Sequence, residues 1–177
     1  TGMRAQACWL TWVVGAVAAG WGVQPAVGAE LGLDFGGGAL QAGYQAYRPP
    51  STALSFATPL GQTGELTVRL ASPGLEWRDR RALNGGPEVS RSALLSDFVF
   101  TWALAPLTVE LSGLRPGPYR VTTYHHDSEF ADHGALNVSV DEGTGWRVVG
   151  TNVVQSAGSA PDSVARVEFE VTASGEH

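Results

Sequence analysis

The chain contains no lysine, and charged residues of any kind are scarce. All eleven basic residues are arginine, 16% of the 177 residues are charged, and the formal net charge is −6. Proteins that bind nucleic acids or anionic membranes usually carry a basic face. The composition therefore argues against polyanionic partners: we expect no nucleic-acid binding, and no membrane binding by the mature domain.

Cysteine is almost absent, since Cys8 is the only one. It lies in a nearly uncharged run, residues 5–23, which is followed by the small residues 27–29. This order is typical of a secretory signal peptide that is cleaved at its end, and an uncleaved membrane anchor is the alternative. We therefore expect residues 1–29 to direct secretion to the periplasm or the extracellular space. The mature chain would contain no disulfide.

Long helices are not expected, because 23 glycines and 10 prolines interrupt the chain. Alternation of apolar and polar residues, typical of strands with one buried face, dominates instead. The alternation is strict in residues 65–70, 107–111, 136–140 and 164–171. Less regular strand candidates are residues 31–35, 40–47, 53–57, 98–102, 119–125 and 146–154.

Turns rich in glycine and proline separate these segments, and only residues 90–97 have helix-like spacing. About ten short strands joined in this way predict an all-β fold, namely an antiparallel β-sandwich or jelly roll of about 9–10 strands. We expect residues 30–177 to form a single domain. We also expect this domain to be truncated at the C-terminal strand that would close the sandwich.

Several short motifs follow one another along the chain. They read LDFG at residues 33–36, GY at 43–44, WRDR at 77–80, LSDF at 95–98 and LSGLRPGPY at 111–119. In this order they resemble the galactose-binding-like jelly rolls, modules that accompany secreted bacterial proteins acting on polysaccharides. The resemblance runs from residue 31 to residue 171. It implies a β-sandwich that binds sugar, often together with a structural calcium ion.

The function implied by this resemblance is that of a secreted, non-catalytic carbohydrate-binding module. Its partner would be a polysaccharide or an oligosaccharide, and it would belong to a polysaccharide-acting or cell-surface protein with other domains. A different class stays open: a structural or adhesion β-sandwich domain of the bacterial envelope that binds no sugar.

The densest polar stretch, residues 124–133, holds three of the four histidines. Imidazole and carboxylate groups can ligate a metal or exchange protons near neutral pH. Three interpretations are open for this stretch: a sugar-contacting loop, a metal or catalytic site, or a solvated loop. Its candidate ligand-binding residues are Tyr124, His126, Asp127, Glu129 and His133.

A second candidate group for sugar binding is Trp77, Arg78 and Arg80. Aromatic rings can pack on the C–H face of a sugar, and guanidinium groups can donate paired hydrogen bonds to hydroxyls. The alternative is structural, because an Arg–Asp pair beside a tryptophan can tie a loop to a sheet. Trp102 and Trp146 are expected in the core or at its rim.

Catalysis is not expected from the sequence. It contains no G-x-S-x-G elbow and no zinc-binding helix motif, and its acidic residues form no second cluster facing residues 127–132. A structural calcium ion would need oxygen ligands from loops. Its candidates are Asp34 with the carbonyls of residues 36–38, and Asp141 with Glu142.

Overall fold

The computed structural model describes residues 11–16, 29–48, 53–101, 106–131 and 134–173. Within these ranges the chain forms thirteen strands, one 3-10 turn and one α-helix of five residues. The all-β prediction is therefore confirmed. None of the helices in the described ranges has the length and apolarity needed to cross a membrane.

The strands form four sheets. The largest contains β1 (Thr11–Ala16), β2 (Glu30–Phe35), β3 (Gln45–Tyr47), β9 (Gly117–Asp127), β12 (Ser156–Ala157) and β13 (Ala165–Ala173). A second sheet contains β4 (Ala53–Ala57), β5 (Glu65–Leu70) and β8 (Val109–Ser112). The two-stranded sheets pair β6 (Leu75–Asp79) with β7 (Asp97–Thr101), and β10 (Ala135–Asp141) with β11 (Trp146–Val154). A 3-10 turn (Val89–Arg91) and helix α1 (Ser92–Ser96) precede β7.

The strands predicted from strict alternation begin and end within two residues of the observed strands, and residues 65–70 coincide with β5. The candidate strand at residues 40–47 is shortened to β3. The Asp34 carboxylate accepts a hydrogen bond from the Gln41 amide at 2.7 Å, and Tyr44 N donates to Gln41 O at 3.1 Å. These two bonds make residues 41–44 a turn, because they take the amide groups that a strand ladder would use.

Side chains from all four sheets pack into one hydrophobic core. Each sheet is too small to bury its apolar face by itself, so the sheets are stabilised by covering one another. The fully or nearly fully buried members include Leu33, Tyr47, Val68, Val99, Val121 and Val138.

Tyr47 lies at the aromatic centre of this core. The ring of Phe35 stacks on it with centroids 5.0 Å apart, and the ring of Trp77 does so at 6.0 Å. The Tyr47 hydroxyl donates to Val68 O at 3.3 Å, which satisfies the one polar group of the stack. The β6 strand, which the sequence analysis did not predict, thus contributes its tryptophan to the core.

Gly61 provides a stability test of the turn between β4 and β5. Its backbone bridges to Leu114, its carbonyl accepts from Arg115 Nε at 2.9 Å, and an added Cβ would overlap the carbonyl oxygen of Glu65. We expect Gly61→Ala to lower the free energy of unfolding by about 1–3 kcal/mol, because backbone must move to admit the methyl group. Denaturant unfolding measures this.

The matched control is Gly85→Ala, whose added Cβ would meet only the Ala160 methyl at 3.5 Å, an ordinary contact. Its unfolding free energy should change by less than about 0.5 kcal/mol. Equal stability of the two variants would contradict the close packing at Gly61.

Candidate functional site

Several strands begin or end together at one end of the sheets, which we call the polar end. Strand β6 ends at Asp79, β9 ends at Asp127, and β7 begins at Asp97. Asp79 and Asp97 face each other across β6 and β7, and Arg80 joins the end of β6 to Asp127. The topology thus brings together motifs that lie far apart in the sequence.

Arg80 and Asp127 form a buried ion pair. Arg80 Nε donates to the two carboxylate oxygens of Asp127 at 3.1 and 3.3 Å, and Arg80 Nη2 donates to Oδ2 at 3.1 Å. The Asp127 side chain is completely buried and that of Arg80 is 16% exposed. Such paired hydrogen bonds fix the guanidinium plane, which a single ammonium contact does not do.

Two phenylalanine rings flank the Arg80 guanidinium. Its Cζ lies 5.8 Å from the ring centroid of Phe98 and 5.4 Å from that of Phe130. Both distances are within the range of cation–π attraction. The ion pair therefore also fixes the position of the Phe130 ring relative to β7.

The Asp127 carboxylate orders the chain that follows β9 as well. Its Oδ1 accepts hydrogen bonds from the backbone amides of Glu129, at 2.8 Å, and of Phe130, at 3.2 Å. Ser128 Oγ donates to Arg81 O at 2.9 Å, and Arg81 N donates to Glu129 Oε1 at 3.2 Å. One buried aspartate thus holds an arginine on one side and a turn on the other.

The exposed part of the polar end consists of Arg81, Glu129 and Phe130, which we call the Phe130 tip. Phe130 is 58% exposed, and the Arg81 side chain is 89% exposed. Glu129 Oε2 lies 3.6 Å from Arg80 Nη1, and its Oε1 lies 3.8 Å from Arg81 Nε. An aromatic ring, a carboxylate and a guanidinium group therefore face solvent side by side.

Some of the predicted sugar-binding residues lie elsewhere. Trp77 is half-buried and packs against the core beside Tyr47, which favours the structural alternative for this residue. Arg78 pairs with Glu76 at 2.9 Å and lies over the Phe100 ring at 5.1 Å, outside the Phe130 tip. Of the sequence candidates that the structure describes, Arg80, Asp127 and Glu129 are brought together.

The histidine-rich stretch begins as strand rather than loop, since its first four residues belong to β9. Strand β9 continues to Asp127, and Tyr124 and His126 are buried within it. His126 Nδ1 lies 2.8 Å from Ser156 Oγ, and burial lowers the pKa of His126, so this imidazole is neutral at pH 7. Neither side chain can contact a ligand in solution without rearrangement. His133 lies outside the described residues, as does Trp102.

Trp146 was expected in the core or at its rim. It begins β11 and is 66% exposed, so it does not lie in the core. Val148 and Val154 on the same strand are also exposed. Among the described residues, two aromatic rings are largely exposed: Phe130 at the polar end and Trp146 on the β10–β11 ribbon.

Asp34 and Asp97 form a pair of buried carboxyl groups beside the Phe130 tip. Burial raises the pKa of Asp97 to about 7, and the nearby Asp34 charge adds to the rise. Burial also raises the pKa of Asp34. Each group has one buried oxygen, Oδ1, without a hydrogen-bond partner. A proton held by one of the two carboxyl groups removes the repulsion between them.

The glycines at residues 36–38 make backbone hydrogen bonds to Asp97, Asp79 and Arg48. Gly38 N donates to Asp97 Oδ2 at 2.8 Å, Gly37 N donates to Asp79 Oδ1 at 3.2 Å, and the Gly36 carbonyl accepts from Arg48. A calcium ion needs six to eight oxygen ligands. Gly37 and Gly38 direct N–H groups, rather than carbonyl oxygens, at Asp79 and Asp97, and the calcium site expected at Asp34 stays a prediction.

The other calcium candidates are engaged in local contacts. Asp141 Oδ1 accepts from Gly143 N at 2.8 Å and from Gly145 N at 2.9 Å, which closes the β10–β11 turn. Glu142 accepts from Thr172 N at 2.6 Å and pairs with Arg147 at 3.1 Å. In the ranges that the structure describes, no three histidine, cysteine or acidic side chains are grouped to hold a metal ion.

Comparisons of the chain with protein-family models, with curated proteins and with solved structures found no match. The galactose-binding-like resemblance therefore depends on the sequence motifs, and it stays a prediction.

Because Arg80 lies in a buried ion pair and Arg81 is exposed, substitutions at these two positions should differ in their effect on stability. We expect Arg80→Ala to cost about 3–5 kcal/mol of unfolding free energy, because the Asp127 carboxylate stays buried without its guanidinium. This corresponds to a fall in Tm of about 6–20 °C for a domain of this size. Thermal unfolding monitored by circular dichroism measures it.

Arg81→Ala is the matched control, since the Arg81 side chain is 89% exposed. It should change the unfolding free energy by less than about 0.5 kcal/mol. A loss of stability in Arg81→Ala as large as that in Arg80→Ala would contradict the role given to the ion pair.

The raised pKa of Asp97 predicts a pH dependence of stability. Its folded pKa of about 7 exceeds the ordinary value of 3.8, so the folded chain holds a proton that the unfolded chain releases. This stabilisation is complete below pH 4 and is lost as the pH rises through 7. The Tm of the wild type relative to Asp97→Asn should fall by about 3 °C or more between pH 5 and pH 8.

Comparison with Asp97→Asn cancels the opposing effect of His126, whose lowered pKa destabilises both proteins in acid. A Tm difference between the two proteins that does not change from pH 5 to pH 8 would rule out a proton on Asp97.

Proposed function

We propose that this chain is a secreted, non-catalytic domain that binds carbohydrate through the Phe130 tip. The observation that carries the proposal is the 58% exposed Phe130 ring, fixed beside the Arg80 guanidinium. A singly exposed apolar residue is common on protein surfaces, so the proposal depends on the ring together with the polar groups around it. The ring lies over the Arg80 guanidinium, whose position is fixed by the buried ion pair with Asp127.

The chemistry of the Phe130 tip suits a sugar. Pyranose rings have apolar C–H faces, which pack on flat aromatic rings, and hydroxyl groups around their edge. Glu129 can accept hydrogen bonds from hydroxyls and Arg81 can donate them. The three groups together offer one apolar contact and both kinds of hydrogen bond.

The tip is also ordered before any ligand arrives. Asp127 accepts from the amides of Glu129 and Phe130, so the turn is held by hydrogen bonds that do not need a sugar. Binding to an ordered site loses less side-chain and loop entropy than binding that must order a flexible loop. We infer a domain with a jelly-roll-like arrangement that uses the loops at one end of its sheets.

Catalysis is not part of the proposal. A glycosidase needs two carboxyl groups on either side of the bond it cleaves. At the polar end Asp127, Asp34 and Asp97 are buried, and the exposed carboxylates are Glu129 and Asp79. Glu129 lies against the guanidinium groups of Arg80 and Arg81, and Asp79 accepts a hydrogen bond from Gly37 N at 3.2 Å, so both suit hydrogen bonding better than bond cleavage.

Secretion and a structural calcium ion belong to the same proposal. The first depends on the predicted signal peptide in residues 1–29, and the second depends on the resemblance. Binding should therefore be measured with and without calcium, because an effect of calcium on affinity would place an ion near the site.

Retention on insoluble polysaccharides tests the proposal. The panel is cellulose, chitin, xylan and agarose, and the wild-type chain should be retained on at least one of them. Phe130→Ala should weaken that retention about twofold to tenfold, since an aromatic contact contributes about 0.5–1.5 kcal/mol. Isothermal titration with the matching oligosaccharide gives the affinities.

Trp146→Ala is the matched control, because it removes the other exposed aromatic ring. It should leave retention unchanged. Loss of retention in Trp146→Ala, with Phe130→Ala unaffected, would place the binding site on the β10–β11 ribbon instead. A folded wild-type chain that no polysaccharide retains would favour the structural or adhesion domain.

A further inference from the structure

Strand β1 lies in the middle of the largest sheet. It pairs with β2 on one side and with β9 on the other, and it is antiparallel to both. Four residue pairs join it to β2 and six pairs join it to β9. The strand therefore supplies the hydrogen-bond partners of two neighbours at once.

The same residues lie inside the predicted signal peptide. Thr11–Ala16 belongs to the uncharged run at residues 5–23, and β2 begins at Glu30, directly after the predicted cleavage position. A chain that begins at Glu30 keeps β2 as its first strand and loses the strand between β2 and β9. Cleavage of the predicted signal peptide would thus remove a segment that forms a central strand of the observed sheet.

Strands β2 and β9 cannot replace β1 by pairing with each other as they stand. Both are antiparallel to β1, so they run parallel to each other, about 10 Å apart across two strand spacings. Without β1, each would present a row of unpaired N–H and C=O groups. The side chains of Leu31, Leu33 and Val121 on these strands are buried, so an inserted strand would place its side chains on that face among apolar groups.

Strands β2 and β9 are each held in place by other contacts. Strand β9 pairs with β13 through nine residue pairs, and β2 pairs with β3 through three. Leu33 and Phe35 of β2 and Val121 of β9 belong to the main core. The gap between β2 and β9 is therefore expected to keep its shape when β1 is absent.

We propose that the position between β2 and β9 is a strand-acceptor site. Its ligand is an extended, uncharged segment of another polypeptide that is rich in β-branched residues. This segment runs antiparallel to β2 and β9 when Thr11–Ala16 does not occupy the site. Strand addition of this kind takes its affinity from main-chain hydrogen bonds. Charged side chains on the core face of the inserted strand are disfavoured, because they would have to leave water. The site is separate from the Phe130 tip.

The test uses the full chain and removes β1 from the strand-acceptor site by substitution. Val13→Pro combined with Val14→Pro removes two adjacent N–H donors, which in a central antiparallel strand point to opposite neighbours. The probe is a fluorescein-labelled peptide of residues 9–17, WLTWVVGAV, and its binding is followed by fluorescence anisotropy. The double-proline variant should bind it saturably and at least about tenfold more tightly than the wild-type chain.

A peptide with prolines at the same two positions is the control and should not bind. If the double-proline variant does not fold alone, it is refolded with the peptide, and its Tm should then rise with peptide concentration. A folded variant that does not bind the peptide, or an unfolded one that the peptide does not rescue, would overturn the proposal.

Adding Phe130→Ala to the double-proline variant should leave peptide binding unchanged. Failure of polysaccharide retention and failure of peptide binding are therefore independent results. Loss of peptide binding on this substitution would contradict the separation of the two sites.

Discussion

The ion pair between Arg80 and Asp127 is the interaction on which the polar end depends. It joins the end of β6 to the end of β9, and through the same carboxylate it orders the turn that carries Phe130. Burying both charges is costly, and the cost is offset only because the guanidinium is bound through two of its nitrogens and flanked by two aromatic rings. A lysine at position 80 could not make these contacts.

The buried acids at the other side of the polar end are stabilised differently. Within the described residues no ion pair joins a guanidinium to Asp34, and Arg48 approaches Asp97 only to 3.8 Å. Burial therefore raises the pKa of Asp97 to about 7, and protonation takes the place of a salt bridge. Asp127 is thus paired with a guanidinium, whereas Asp34 and Asp97 share a proton near neutral pH.

The sequence predicted most strands because alternation reports directly which face of a strand is buried, as residues 65–70 of β5 illustrate. It did not predict β6, since Trp77 and its charged neighbours resemble a loop unless their pairing with β7 is known. The candidate site was predicted in part. Arg80 and Asp127 are polar in the sequence, but the exposure of Phe130 and the burial of His126 follow from long-range packing, which local sequence does not encode.

The most direct test of carbohydrate binding by the Phe130 tip is an NMR titration of the labelled chain with the oligosaccharide that it prefers. The account predicts saturable shifts of the backbone amides of Arg81, Glu129 and Phe130, with the Trp146 indole signal unchanged. Shifts confined to Trp146 and β11, or no shift from a folded sample across the oligosaccharide panel, would contradict it.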